Sequence, residues 1–161
     1  LIEKNYTETK NLVDSMQSKP TVLSGIVYGD TWFLPGGQNY AANMFKDAGC
    51  TYLWEKNPSH GFLQVSFESV YEKAHLADLW IGVGTYTSLL DIEKADHRYT
   101  LFGPFARKKV YNYDKRMGAK GGNEFLELGY LRPDLILKDL VRISHPDLLP
   151  GYELYFHRRL E

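Results

Sequence analysis

The chain has 161 residues, of which 43% are hydrophobic and 14% aromatic, and a formal net charge of −1. That length fits one domain with a core that needs no disulfide or metal, and the apolar content excludes general disorder. The balanced charge excludes the basic stripe that phosphate-backbone binding requires, so nucleic acid is not an expected partner.

The chain opens with LIEKNYTETKNLVDSMQSKP. Leu1, Tyr6, Leu12, Val13 and Met16 give it a partly amphipathic face, which predicts the tail of a longer helix. Leu1 is no initiator, so the expectation is a fragment whose preceding portion, with any targeting signal, has been removed. No apolar run has the length of a membrane span. Thr21 to Tyr28 then reads as a mostly apolar strand buried on both faces. GDTWFLPGGQ reads as a loop, and Asn39 to Ala48 as a helix that Gly49 ends. Cys50, the single cysteine, cannot form an internal disulfide and reads as a buried, inert thiol. Thr51 to Trp54 is a short strand, followed by a turn cluster over Asn57 to Gly61.

Ser66 is placed as the N-cap of a helix reaching about Ala74. Ala77 to Val83 is the next buried strand, GTYT its following loop, and Ser88 to Ala95 a helix. Lys109 to Tyr113 is a further strand, succeeded by the polar loop DKRMGAKGGN and the short helical stretch EFLEL. Pro133 suits the first turn of the last clear helix, PDLILKDLVRIS. YELYFHRRL alternates enough for a strand at a sheet edge. The order implies an α/β fold, a three-layer αβα sandwich with a mainly parallel sheet.

In such sheets ligands meet the loops at the carboxyl ends of the strands. Three loops have unusual compositions. The first carries Trp32, Phe33, Gly36, Gly37 and Tyr40, the second Thr85, Tyr86 and Thr87, and the third Lys115, Arg116 and Lys120. Aromatic and cationic groups together suit a large, partly apolar ligand with anionic or polar parts. No nucleophile elbow, P-loop or zinc-protease motif is present. The histidines (His60, His75, His97, His145 and His157) are never spaced as metal-ligand pairs and read as surface or capping residues. No catalytic residue, metal site or cofactor is therefore expected. The alternative is a small α/β enzyme with its site at the strand-end loops, using Asp30, His60 or Glu124.

Several segments carry a family resemblance. QVSFESVYEKAHLADLWIGVG matches the pattern "vs.E.l....PDvii" through Val65, Ser66, Glu68, Val70, Ala77, Asp78, Leu79, Trp80 and Ile81. TVLSGIVYGDTWFLPGGQNYAANMFKDAGC and NEFLELGYLRPDLILKDLVRISHP add a strand, ligand loop and helix, and a closing helix. Together they resemble the C-terminal lobe of class III, TroA-like, substrate-binding proteins of ABC importers, in a form similar to Bacteroidetes chains. AGC stands where that family has an "AGG"-like end. The resemblance implies that residues 1–18 end the helix joining two lobes and that residues 19–161 form the ligand-binding lobe. It implies a metal-chelate or corrinoid ligand: an iron–siderophore complex, haem or cobalamin. Trp32, Phe33, Tyr86, Lys115 and Arg116 would face that ligand, and Glu124 or Glu127 would dock an ABC permease in the inner membrane. The location implied is periplasmic, with a lipoprotein anchor. An isolated lobe would expose its inter-lobe face and self-associate through it.

Overall fold

A computed structural model describes residues 1–161. Helix α1 (Ile2–Val13) leads into strand β1 (Thr21–Leu23). At Gly25 the backbone takes a φ of +94°, and a Cβ there would overlap the Phe33 carbonyl oxygen, so only glycine fits. The chain leaves the first sheet at this point. The expected single strand over residues 21–28 is therefore two: β1, and β2 (Ile26–Tyr28), which belongs to a second sheet.

A tight turn at Gly29 and Asp30 returns the chain as β3 (Thr31–Pro35), so half of the expected ligand loop is a strand. Helix α2 (Tyr40–Asp47) starts at Asn39, whose side-chain oxygen accepts from the Ala41 N–H. Strands β4 (Thr51–Tyr52) and β5 (Phe62–Ser66) precede α3 (Phe67–Ala74), capped by Ser66 as anticipated. Then come β6 (Leu79–Ile81), α4 (Leu89–Ala95), a 3-10 turn at His97–Leu101, the one-turn α5 (Gly103–Ala106) and β7 (Val110–Asn112). Helix α6 (Glu124–Leu128) and α7 (Pro133–Ser144) follow, and β8 (Arg158–Arg159) ends the fold.

The main sheet has the order β4-β1-β6-β7-β8. Its pairs are parallel except β7 with β8, an antiparallel edge. Because side chains alternate along a strand, neighbours feed opposite layers. Val22, Leu79, Ile81 and Tyr111 pack under α1, α2 and α7, whereas Leu23, Trp80 and Val110 pack under α3, α4 and the 3-10 turn. The result is the anticipated α/β three-layer sandwich.

The smaller sheet, β2-β3-β5, is antiparallel. Its register pairs Val27 with Trp32, Trp32 with Val65 and Leu34 with Leu63, and these residues face the second core. The opposite face carries Ile26 opposite Phe33, and Pro35 opposite Phe62.

Candidate functional site

The outer face of the small sheet looks onto the carboxyl ends of the parallel strands. An apolar cleft of about 290 Å³ runs there, with Ile26, Phe33 and Phe62 along one wall and Tyr113, Phe125 and Leu126 along the other. Beside its floor lies a second space of about 170 Å³ beneath the start of α2, bordered by Met44, Ile136, Leu140 and His157. Ser24, Ala41, Gly82, Tyr113 and Phe125 border both, so the two spaces adjoin.

Each wall has a local cause. Phe33 faces the cleft because β3 alternates, sending its neighbours Trp32 and Leu34 into the core. Tyr28 packs edge-on against Phe33 at 5.6 Å. Gly82 and Gly84, both at positive φ, turn the chain at the end of β6. Asn112, fully buried at the end of β7, holds that turn. Its Oδ1 accepts from the Val83 N–H at 3.1 Å, and its Nδ2 donates to the carbonyls of Gly84 and Tyr86. On the far wall Tyr113 stacks on Phe125 at 4.7 Å, and Phe125 meets the His157 ring edge-on at 5.5 Å. Burial and the neighbouring Asp114 charge push the Tyr113 hydroxyl up, so it stays protonated.

A buried acid anchors the His157 end. Asp139 accepts hydrogen bonds from the Tyr152 hydroxyl, from the backbone N–H groups of Tyr155, Phe156 and His157, and from His157 Nδ1 at 3.0 Å. Burial by itself would raise the Asp139 carboxyl. The hydrogen bonds from the His157 ring and from the backbone outweigh burial and hold it below the usual carboxylate range.

Of the residues expected to face a ligand, only Phe33 borders this cleft. Trp32 has no exposed surface; its indole N–H donates to the Ser24 carbonyl, and its ring packs on Trp80, Tyr99 and Phe102. Tyr86 is half-buried and lies edge-on to Tyr99. Lys115 Nζ donates to the Leu154 carbonyl and Arg116 Nε to that of Tyr155, with the guanidinium 3.6 Å from the Tyr155 ring. Both cations tie their loop to the C-terminal segment. Gly36 and Gly37 pack against the turn at residues 54–59. Glu124 accepts from the Tyr155 hydroxyl at 3.3 Å, while Glu127 is exposed.

The residues of the enzyme alternative are engaged separately. Asp30 is exposed and pairs with Arg98 at 2.8 Å, His60 is exposed, and Glu124 holds Tyr155. No three His, Cys, Asp or Glu side chains come together in a way that could hold a metal ion. Burial pushes the Cys50 thiol up to about 11, which keeps it a thiol at neutral pH.

Sequence reasoning missed Ile26, Phe62, Tyr113, Phe125 and His157. Available signals were the apolar residues on both faces of TWFLP and an apolar FLQV run directly before the Ser66 cap. His157, expected to be a surface or capping residue, is buried and bonded to Asp139.

No family model matches the chain. Along 96% of its length it is 24% identical to an uncharacterized lipoprotein of Methanocaldococcus jannaschii, covering 36% of that protein. Its fold is similar to the TroA-like periplasmic binding protein FepB of Veillonella parvula. There the TM-score is 0.71 at 13% identity, over 99% of this chain and 54% of that one. It is also similar to the periplasmic heme-binding protein RhuT of Roseiflexus sp. RS-1, with a TM-score of 0.66 at 16% identity, over 91% of this chain and 54% of that one. The chain thus spans about half the length of these binding proteins, or less of the lipoprotein, and it has the fold of one lobe of a two-lobed, TroA-like periplasmic binding protein.

Proposed function

We propose that the chain is one lobe of an extracytoplasmic substrate-binding component of an ABC importer. That component captures a bulky metal chelate of the siderophore or haem type, or a corrinoid, and delivers it to an inner-membrane permease. One observation carries this reading: the outer face of the β2-β3-β5 sheet presents Ile26, Phe33 and Phe62 where a solvent-facing sheet would be polar. Those side chains face the strand ends, where α/β folds take their ligands. The names of the similar proteins support periplasmic binding, haem among the ligands, and a lipid anchor.

In this reading α1 ends the helix joining the lobes, and the second lobe closes the cleft from above. Phe33, Phe62, Tyr113 and Phe125 supply apolar and stacking contacts to the ligand. Lys115 and Arg116 set the shape of the final loop. Glu127, exposed on α6, is the better permease contact, because Glu124 is held by Tyr155.

The test is uptake by cells that depend on this importer. Deletion should abolish accumulation of one labelled cargo among ferric siderophores, haem and cobalamin. Wild-type protein should restore it, and Phe33→Ala or Glu127→Lys should not. Full restoration by both variants would remove the cleft and the docking residue from the account.

A further inference from the structure

The cavity under α2 has polar atoms that the fold leaves unused. Its walls are mostly apolar, with Asn39, Tyr40, Ser24, Tyr113 and His157 also bordering it; the Asn39 amide is spent on the Ala41 N–H and the His60 carbonyl, whereas the Ser24 and Tyr113 hydroxyls and His157 Nε2 make no hydrogen bond within the chain. Of the buried side-chain polar atoms, only Asp114 Oδ1 is both unpartnered and sealed from open space. His157 is 2% exposed and borders this cavity, and its Nε2 is the ring nitrogen without a partner in the chain.

The Asp139 contacts decide the tautomer. Its oxygens already accept from a tyrosine hydroxyl and three backbone N–H groups, and the carboxyl is held ionised. An ionised carboxylate only accepts, so His157 Nδ1 must carry the proton that lies between them at 3.0 Å. In the neutral ring this leaves the Nε2 lone pair facing the cavity as an acceptor. The space is about 170 Å³. An apolar cavity of roughly 150 Å³ admits a benzene molecule.

We propose that this cavity is a subsite for a benzene-sized ring bearing one hydrogen-bond donor, a phenol-like arm of the captured molecule, with His157 Nε2 accepting from its O–H. Ser24 and Tyr113 offer hydroxyls to the phenol oxygen. The site selects for a donor because a ring without one leaves Nε2 desolvated and unpaired. The proposal rests on the cleft being the capture site, but the subsite can be read by itself with small probes.

Phenol, methoxybenzene and toluene are titrated into the full chain carrying ¹⁵N-labelled histidine. Phenol should bind saturably and at least tenfold more tightly than either of the others. The His157 Nε2 resonance should move on phenol binding while Nδ1 stays protonated. His157→Phe should bring phenol down to the affinity of toluene. Because that change also strips a donor from Asp139, the wild-type resonances give the reading without any variant. Phenol binding no tighter than methoxybenzene, or an Nε2 resonance unmoved at saturation, would overturn the proposal. Failure with phenol alongside tight binding of a ferric chelate or corrinoid sinks the subsite and leaves the capture reading. The reverse result upholds the subsite and counts against that reading.

Discussion

Trp32 and Phe33 are adjacent aromatic residues with opposite roles. Alternation along β3 sends the indole into a cluster with Trp80, Tyr99 and Phe102 and sends the phenyl ring to the cleft. The sequence marks this pair as unusual, but a loop assignment hides the alternation that separates the two. Asp139 is a second residue with a large local effect, since five donors converge on it without solvent. Its folded-state carboxyl lies below the ordinary value of about 3.9. Its stabilisation is therefore complete above that ordinary value and is lost as pH falls through the depressed folded one. Asp139→Asn should cost roughly 3 kcal/mol at pH 7, because an amide cannot accept from all five donors. It should also flatten the acid limb of stability between about pH 5 and 2. Urea unfolding midpoints across that range check both effects; an unchanged acid limb would show that another carboxylate dominates, with Asp134, held down by Arg132, the next candidate.

At the scale of elements, the helices were the legible part. Asn39, Ser66 and Ser88 each accept from a backbone N–H at a helix start, and Pro133 opens α7. The small sheet was not legible, for a physical reason. A strand exposed to water on one face shows alternation, but β3 has the core on one side and an apolar cleft on the other, so TWFLP lacks the pattern. The sheet change at Gly25 was equally hidden, because TVLSGIVY is apolar on both sides of the glycine. The hinge makes a specific prediction. Gly25→Ala must relieve both the positive φ and the overlap with the Phe33 carbonyl, and should cost about 2–3 kcal/mol. Amide hydrogen exchange should quicken first in β2 and β3, which pair beside that contact. Unchanged exchange there would mean that the two sheets are not coupled through Gly25.

At the scale of the whole molecule, the cleft face leaves large apolar side chains open to solvent. Tyr28, Phe62 and Leu126 are each about two-thirds exposed, at 66%, 68% and 64%. An exposed apolar patch of this kind promotes association. The 161-residue chain should therefore self-associate in a concentration-dependent way through the cleft, with Phe33 and Phe62 but not Trp32 in the contact. Sedimentation velocity should show the effect weakened by Phe62→Ser. A chain monomeric at every accessible concentration would contradict it.

The function we propose for the cleft beside Phe33 is capture of a large chelate or corrinoid. It is checked by isothermal titration of the protein with ferric siderophores, haem and cobalamin. One of them should bind saturably. Phe33→Ala should weaken that binding at least tenfold, a loss of about 1.4 kcal/mol, while leaving the unfolding midpoint nearly unchanged. A folded protein that binds none of the panel, or one whose affinity is indifferent to Phe33→Ala, would rule out capture in this cleft.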